Sequence, residues 1–432
     1  MAEETISQEA LIDLEEIDRA LLGKLKYEVA NEKEIVSDFT RDDKIIMDKA
    51  GNYSALKGIT CFRGNNYRDS ASFGYAEIKE KKLEIQWQIP TGGIDGWTGV
   101  GWNGQPSIVE WPEELRSAMN IREEKKNKEN LREVIYEALD GKVYFLDLED
   151  GSSTRDKIQI PGPVKGSLTV DPRGIPLLYV GHGINTVSGE KVEMGYWISG
   201  NNYQGIESSV AAYKNLAYFA DNGGWLQCID LNTLRPVWIK DVTDDTDSTI
   251  VIDEEEENEQ VSLYTACEVD KQGTKRMSYI RKIDALSGKL IWEKPYECFS
   301  LLGDKPINGG ALATPAIGKN SLKQMAIYNL ARYGGFNKGL LVALNKITGE
   351  ELWRLEMPDY SWSSPVAVYT EEGDGYLIQC DSAGRMYLID GLTGRVLDVI
   401  NLGANVEGSP AVFENMVVVG TRGQKIFGIR IS

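Results

Sequence analysis

The chain has 432 residues, a formal net charge of −19 and 42% hydrophobic residues, which is enough apolar material for a large core. Its acidity argues against nucleic acid and anionic membrane surfaces as partners, because both would repel the protein. The chain has one histidine, His182, which argues against most catalytic triads and histidine metal sites. Its five cysteines are scattered without CxxC spacing and predict neither a zinc site nor a disulfide framework.

Residues 1–55 are predicted to form an acidic helical extension and linker, because Leu11, Leu14 and Leu21 follow a helical spacing among carboxylates. This helix would either dock on the rest of the chain or be the remnant of a membrane tether. Residues 56–81 contain CFRGNNYRDSASFGY, which is too irregular for a strand. Its arginines, amides and aromatics predict a segment fixed to the body by its side chains. Direct membrane insertion is not expected, since we recognise no secretory signal or transmembrane run.

Residues 82–432 repeat a β-hairpin, and the clearest copy is GLLVALNKITGEELWRLEM at Gly339–Met357. Its turn residue Asn345 is followed four residues later by Gly349 and eight residues later by Trp353. Four of five such turns keep the glycine and three keep the tryptophan. The other turn residues are Asp147, Asp230, Asp284 and Asp390. Together with 44 glycines and 20 tyrosines, this spacing predicts an all-β repeat fold.

Each repeat is predicted to supply four antiparallel strands, lettered A to D from the centre outward, as one blade of a β-propeller. Strand A is made of small residues, as in ATPAI from Ala313, which suit a crowded channel. The C-terminal unit has three strands, whereas Leu83–Ile89 carries Trp87 without a preceding strand C. Closure by this N-terminal outermost strand predicts seven blades, with six or eight as alternatives, and removes exposed sheet edges. The D–A and B–C connections then share one face, called here the loop face.

One insertion interrupts the repeats between strands A and B of the first blade. The sequence PEELRSAMNIREEKKNKENLR from Pro112 predicts a charged helix with proline in its first turn. We expect it to project into solvent, with docking of a partner as the alternative.

The repeat tryptophans Trp87, Trp238, Trp292 and Trp353 are interpreted as packing between blades rather than as a cofactor floor. Candidate ligand-binding residues lie instead in the loops outside the repeat spacing. Aromatic faces and amides there suit a protein, peptide or glycan ligand, unless the aromatics only pack on each other and cap the channel. These candidates are Trp97, Trp102, Tyr203, Asn222, Trp225, Tyr333, Phe336, Tyr360 and Trp362.

Four acidic residues are weaker candidates for a metal site. Glu207 and Glu407 precede strands A, and Asp221 and Asp381 lie in B–C loops, so all four would approach the channel. Their mutual repulsion would favour a cation such as calcium. Paired carboxylates also serve as acid and base in glycoside cleavage, but only at a suitable separation.

The segments IDALSGKLIW, ALNKITGEELW and LIDGLTG resemble the PQQ-like propeller repeat over roughly residues 82–432. The preceding FRGNNYRDSASFG resembles a segment of uncharacterised extracytoplasmic PQQ-like repeat proteins of Gram-positive bacteria. The resemblance implies PQQ-like or WD-like four-stranded blades and, in quinoprotein members, a calcium-bound quinone, a stacking tryptophan, an acidic base and adjacent cysteines. Adjacent cysteines are missing from this sequence.

We therefore expect a non-catalytic binding or scaffolding propeller at the cell surface or outside the cell, although a cytoplasmic location stays open. It would need no cofactor, with calcium possible and PQQ not expected. The alternative is a PQQ- and calcium-dependent dehydrogenase or a carbohydrate-active enzyme.

Overall fold

A computed structural model describes residues 27–31, 34–94, 96–102, 104–181, 194–198, 205–255, 260–269, 275–303 and 306–432. Strands dominate these residues, and two α-helices, α1 (Glu113–Ala118) and α2 (Glu123–Lys126), are short. None of the described helices is long and apolar enough to span a bilayer. In chain order the described strands are β1 Tyr27–Asn31, β2 Glu34–Val36, β3 Lys57–Ile59, β4 Ser72–Phe73, β5 Leu83–Pro90, β6 Gly93–Ile94, β7 Trp97–Thr98, β8 Ser107–Glu110, β9 Arg132–Glu137, β10 Lys142–Asp147, β11 Ile158–Gln159, β12 Thr169–Val170, β13 Leu178–Tyr179, β14 Met194–Ile198, β15 Ala211–Tyr213, β16 Leu216–Ala220, β17 Trp225–Asp230, β18 Pro236–Asp241, β19 Val251–Glu255, β20 Gln260–Ala266, β21 Lys275–Asp284, β22 Leu290–Phe299, β23 Ala316–Ile317, β24 Met325–Ala331, β25 Gly339–Asn345, β26 Glu351–Met357, β27 Val366–Tyr369, β28 Gly375–Cys380, β29 Arg385–Asp390, β30 Val396–Asn401, β31 Ala411–Phe413, β32 Met416–Thr421 and β33 Lys425–Ile431.

The chain folds into consecutive antiparallel sheets of four strands, as the repeat spacing predicts. β15–β18, β19–β22, β23–β26 and β27–β30 each form one sheet in chain order. β8–β11 form a fifth such set, to which β3 adds at the inner edge. The last sheet takes β31–β33 from the C terminus and β5 from the N-terminal half, with Trp87 opposite Gly428.

The second repeat is shorter in the described residues. β12 pairs only with β13, and β14 pairs with the N-terminal β1, which in turn pairs with β2. The range 27–55, predicted as the linker after the N-terminal helix, contains the strands β1 and β2, and Val29 pairs with Val36. The described part of the predicted extension is therefore not helical. The helical spacing from Leu11 to Leu21 falls outside the described residues.

Hydrophobic cores lie between neighbouring sheets. Val251 and Tyr264 pack with Ala326 and Tyr328 of the next sheet, and all four are fully buried. Because each sheet is covered on both faces, a strand such as β25 is apolar on both faces instead of alternating with polar residues. The small side chains of the inner strands bring the sheets close together around a central channel.

Each repeat tryptophan docks on the turn of the next sheet. Its indole Nε1–H donates to the carbonyl of the residue after the turn acid or amide, and its ring covers the turn glycine, whose φ is positive. This confirms the interpretation of these tryptophans as packing between blades. The bonds join Trp87 to Leu148 at 2.9 Å, Trp238 to Ala285 at 3.0 Å, Trp292 to Lys346 at 3.0 Å and Trp353 to Gly391 at 2.9 Å.

A series of hydrogen bonds joins the inner strands around the channel. At the same level of five inner strands, a backbone N–H donates to the side-chain hydroxyl on the inner strand of the next blade. We call these residues the hydroxyl ring. Its bonds run from Gln105 to Ser167 at 2.8 Å, Ser209 to Thr249 at 2.9 Å, Thr249 to Thr314 at 3.1 Å, Thr314 to Ser364 at 3.0 Å and Ser364 to Ser409 at 3.2 Å, and Ser409 donates to the Gly104 carbonyl at 2.8 Å.

The segment between β3 and β4 lies inside this channel. Its Phe62 and Arg63 are buried, and the Arg63 guanidinium donates to the carbonyls of Pro365 and Pro315, one residue beyond the hydroxyl ring. Arg68 donates in the same way to the Val210 carbonyl. Side chains of this segment thus bind it to the inner strands.

The insertion after Pro112 packs on the first sheet instead of projecting as a solvated helix. It forms the short helices α1 and α2, because Met119 and Ile121 between them are buried against Trp111. Lys125 Nζ and Lys128 Nζ then bind the buried Asp147 carboxylate at 2.6 and 2.7 Å.

Candidate functional site at the loop-face mouth of the channel

The loop-face end of the channel is lined by residues from several D–A and B–C connections. We call this region the mouth. Four residues of the hydroxyl ring line its wall, Phe62 forms its floor, and the cavity between them measures about 40 Å³. The four are Ser167, Ser209, Thr249 and Thr314. Trp102, Glu207 and Asp247 reach into it from three different connections.

Trp102 is the centre of an aromatic cluster at the mouth. Its ring packs edge-on against Trp97 and Trp362, with ring centroids 6.0 and 6.2 Å apart, and Tyr360 lies 5.8 Å from Trp362. Four predicted ligand-binding residues therefore form one cluster. Such edge-to-face contacts hold the rings in fixed orientations. The buried Nε1–H of Trp362 has no acceptor among the described residues.

Two of the predicted metal candidates bind this tryptophan. Glu207 Oε2 accepts the Trp102 indole N–H at 3.0 Å, and Glu407 Oε2 accepts its backbone N–H at 3.4 Å. Trp102 has a left-handed backbone with φ of 62°, which few residues other than glycine adopt. Asn222 Nδ2 also reaches Glu207, at 3.5 Å. The two glutamates thus position an aromatic ring.

Cations occupy the open faces of these rings. Lys165 Nζ lies 3.8 Å from the Trp102 ring centroid and 4.4 Å from that of Trp97. Arg422 Nη1 pairs with Glu407 at 3.3 Å, and the Arg332 guanidinium lies 3.9 Å from the Tyr360 ring centroid. A cation at these distances is attracted by the negative face of an aromatic ring.

Burial shifts the pKa values of an acidic and a basic side chain at the mouth. It raises the pKa of Glu407, and the nearby Arg422 only partly offsets this shift. It also lowers the pKa of Lys165, while Glu207 and Asp247 act in the opposite direction. The Lys165 ammonium is therefore partly desolvated, which strengthens its attraction to the rings and carboxylates around it.

Three further acids lie beside the mouth. Carboxylate oxygens of Asp245, Asp247 and Glu268 lie within 4.8 Å of one another, and this is the acidic group among the described residues that has the spacing of a cation site. Asn222 Nδ2 donates to Asp245 at 3.1 Å and Asn308 Nδ2 donates to Glu268 at 3.3 Å. These amides stabilise part of the negative charge that the cluster concentrates.

The other predicted acids have local roles. Asp221 accepts the Trp225 backbone N–H at 3.0 Å and the Gln227 side-chain amide at 3.0 Å. Asp381 accepts the Arg385 Nε–H at 2.8 Å and the Tyr387 hydroxyl at 2.7 Å. Each therefore shapes its own B–C turn. The four predicted metal candidates are not brought into one group.

Three predicted aromatic residues lie away from the cluster. Tyr333 packs on Tyr296 at 6.3 Å and Phe336 packs on Phe299 at 5.1 Å, and both partners lie on β22, the outer strand of the preceding blade. Trp225 begins β17 and is half-buried there. Tyr203 lies outside the described residues.

Sequence reasoning missed Lys165, Arg422 and the Asp245, Asp247 and Glu268 group. Lys165 is an isolated cation in the D–A connection GPVKGS, and Arg422 lies in a B–C turn, so neither has a motif of its own. A signal did exist for two of the acids, because the D–A connection DVTDDTDST is unusually acidic.

Comparisons with known proteins agree with the sheet architecture. Residues 337–431 match a family model, PQQ_2, described as outer membrane protein assembly factor BamB. A quinohemoprotein alcohol dehydrogenase from Comamonas testosteroni is similar over 87% of this chain and 80% of its own, with 12% identity and a TM-score of 0.50. A europium-containing methanol dehydrogenase matches with 12% identity over 87% of this chain and 98% of its own, with a TM-score of 0.46.

BamB from Moraxella catarrhalis matches with 13% identity over 81% of this chain and all of its own, with a TM-score of 0.39. No curated protein matches the chain. At these identities, the likeness to solved structures concerns the fold alone.

Proposed function

Because the repeats of this chain belong to the PQQ-like β-propeller repeat family, we propose that the protein is a seven-bladed, non-catalytic binding propeller that captures a basic segment of a partner protein at its mouth. The seven positions of the hydroxyl ring, one on each inner strand, and the pairing of β5 with β33 support this blade count. By resemblance of the segment 62–74, we place the protein in the cell envelope or outside the cell.

One observation carries the choice of ligand. The mouth already holds an ammonium group, that of Lys165, between Trp97 and Trp102. Rings in this arrangement contribute about 0.5–2 kcal/mol to binding of a cation, depending on its desolvation. A lysine side chain of a partner would meet the same ring faces and the same carboxylates.

The charge at the mouth favours a cation further. Five carboxylates, those of Glu207, Asp245, Asp247, Glu268 and Glu407, lie at or beside the mouth, against three cations, those of Lys165, Arg332 and Arg422. The whole protein carries a net charge of −19, so a basic partner would also be attracted over longer distances at low ionic strength.

The residues at the mouth support a binding protein over a quinone-dependent dehydrogenase. Lys165 already covers the faces of Trp97 and Trp102 on which a planar quinone would stack. The five cysteines are free and buried, and no two of them are adjacent in the sequence. These residues therefore do not fit the quinone cofactor.

Calorimetric titration with a pentalysine peptide tests the proposal, with pentaglutamate and a chitin oligosaccharide as the alternative ligands. We expect pentalysine to bind. The substitutions Glu207→Gln and Trp362→Ala should each lower the affinity for pentalysine by about tenfold. Phe336→Ala, which removes a loop aromatic away from the mouth, is the matched control and should bind like the parent. Binding of the oligosaccharide but not of pentalysine would refute a basic ligand.

A further inference from the structure

A second cavity lies at the other end of the channel, away from the mouth. The inner strands run from the hydroxyl ring at Thr314 and Ser364 toward Lys319 and Tyr369 at their hairpins. Between these strand ends and the segment Asp69–Tyr75 is a space of about 400 Å³. Sites for small organic molecules typically have volumes in this range. We call it the lower cavity.

Arg63 lies in the wall of the lower cavity and separates it from the mouth. Its side chain is 1% exposed. Nη1 donates to the Pro365 carbonyl at 2.7 Å and Nη2 to the Pro315 carbonyl at 2.9 Å. The Nε–H has no acceptor among the described residues. A guanidinium has five N–H protons, so most of its donor capacity is unused here.

The positive charge of Arg63 also lacks an ionic partner. None of the described carboxylates forms an ion pair with it, and carbonyl groups do not neutralise its charge. Burial lowers the pKa of Arg63 to about 10, and Asp69 partly offsets the shift. Arg63 therefore remains charged at neutral pH. Asp69 does not pair directly with Arg63 and is itself paired with Lys319, so the buried charge is poorly compensated, and an anion in the adjacent cavity would reduce its cost.

Two other donors face the same space. Lys319 Nζ pairs with Asp69 Oδ2 at 2.8 Å, and its side chain is 47% exposed. The Tyr369 hydroxyl accepts the Lys319 backbone N–H at 2.7 Å, which leaves its own proton available to donate. Burial raises the pKa of Tyr369 to about 12, so the hydroxyl keeps this proton at neutral pH.

The remaining wall is largely apolar. Ala316, Ile317 and Ala367 of the inner strands line one side, and Phe73 and Tyr75 line the other. Tyr75 is 58% exposed and marks the opening to solvent. The lower cavity thus combines cationic donors with apolar surface on both of its sides.

We propose that the lower cavity binds a small organic oxyanion, with its carboxylate or phosphate near Arg63 and Lys319 and its apolar part against Ile317 and Phe73. This site lies at the opposite end of the channel from the proposed peptide site and has the opposite charge preference. It therefore stands independently of the proposed function.

Titration calorimetry with four probes tests the proposal on the intact protein. Benzoate and phenyl phosphate carry the two possible head groups, benzamide is the uncharged analogue of benzoate, and inorganic phosphate lacks the apolar part. We expect benzoate or phenyl phosphate to bind at least about tenfold more tightly than benzamide and inorganic phosphate. Whichever of benzoate and phenyl phosphate binds more tightly identifies the preferred head group. Equal binding of benzoate and benzamide, or no binding of either organic anion up to about 10 mM, would overturn the proposal.

Two substitutions with opposite expected effects locate the site. Lys319→Gln removes a cation and should weaken binding of the preferred anion by about fivefold or more, whereas Asp69→Asn removes the opposing carboxylate and should strengthen it. Lys289→Gln changes an exposed lysine of a hairpin turn outside the cavity and should have no effect. General damage to the fold would not strengthen binding. If both Lys319→Gln and Asp69→Asn bind like the parent, the assignment is wrong.

Arg63 itself needs a separate measurement because it also joins two blades. Arg63→Gln should abolish anion binding, and its circular dichroism spectrum must match the parent for the result to count. Trp102→Ala at the mouth should leave anion binding unchanged. A loss in Trp102→Ala equal to that in Lys319→Gln would contradict a site at the lower end.

Discussion

Replacing Gly394 by alanine tests the docking of a repeat tryptophan on the next blade. A Cβ at this position would lie 2.5 Å from Trp353 Cε3 and 2.8 Å from Cδ2, whereas carbon atoms in contact are about 3.5–4.0 Å apart. Gly394 also has φ of 72°, a left-handed conformation that costs other residues about 1–2 kcal/mol. Overpacking adds about 1–3 kcal/mol, so we expect a total loss of about 2–5 kcal/mol in unfolding free energy.

Gly334→Ala is the matched control because it separates these two costs. Gly334 has φ of 69°, but no heavy atom of the described residues lies within 4 Å of a Cβ built there. Gly334→Ala should therefore lower the free energy of unfolding only by the cost of the left-handed backbone, about 1–2 kcal/mol. Equilibrium urea unfolding of both variants, with unchanged m-values, measures the difference. Equal losses in the two variants would refute the packing argument.

A double-mutant cycle makes the same test more specific. Trp353→Ala removes the ring that a Cβ at residue 394 would meet, so Gly394→Ala should cost less in that background than in the parent protein. The interaction term should then be about 1–3 kcal/mol. Additive losses would show that the ring does not rest on the glycine.

Two further predictions concern buried titratable groups. Burial raises the pKa of Glu137 from its ordinary 4.5 to about 8, so the folded protein holds a proton that the unfolded chain loses, and unfolding free energy should fall between about pH 5 and pH 8. Glu137→Gln should remove that part of the pH dependence, and identical pH profiles of parent and variant would show that this carboxyl does not cause it. All five cysteines are free and buried, and burial raises the pKa of the Cys298 and Cys380 thiols. Ellman's reagent should therefore react slowly with the native protein and with all five thiols in denaturant, and rapid native labelling would contradict this burial.

Local spacing predicts the repeat fold because the turn and its return strand are neighbours in sequence. The interval from Asn345 to Gly349 fixes the turn, and the same interval again places Trp353 on strand D. Repetition then supplies the partner, since the tryptophan of one blade meets the turn of the next. The same logic identified Trp87 as part of an outer strand without a sequence neighbour, and β5 does pair with the C-terminal β33.

The mouth could be predicted only in part because its residues come from connections far apart in sequence. Trp97, Trp102 and Trp362 stand out as aromatic loop residues, so composition was enough to propose them. Lys165 and Arg422 have no such signal, because a single cation in a loop is ordinary until folding places it on an aromatic ring. The distances between carboxylates that decide a metal site also depend on this long-range assembly.

Two other differences arise from the competition between charge and burial. The insertion after Pro112 looks like one charged helix, but Met119 and Ile121 end it early by packing on Trp111. The sequence predicts that the segment around Arg63 is fixed by its side chains, but not that Arg63 itself is buried. That burial depends on the carbonyls of Pro315 and Pro365, which come from two different blades and accept two of its N–H groups.

The central claim is that the mouth binds a partner's cation on the ring faces that Lys165 covers. The most direct test compares pentalysine affinity in Lys165→Ala with that in Lys338→Ala, an exposed lysine in another loop of the same face. Both variants change the net charge equally, but only the first uncovers Trp102. We predict that Lys165→Ala binds pentalysine about tenfold more tightly than the parent protein does, and that Lys338→Ala changes this affinity by less than about twofold. Equal affinities in the two variants, or weaker binding in Lys165→Ala, would contradict the account.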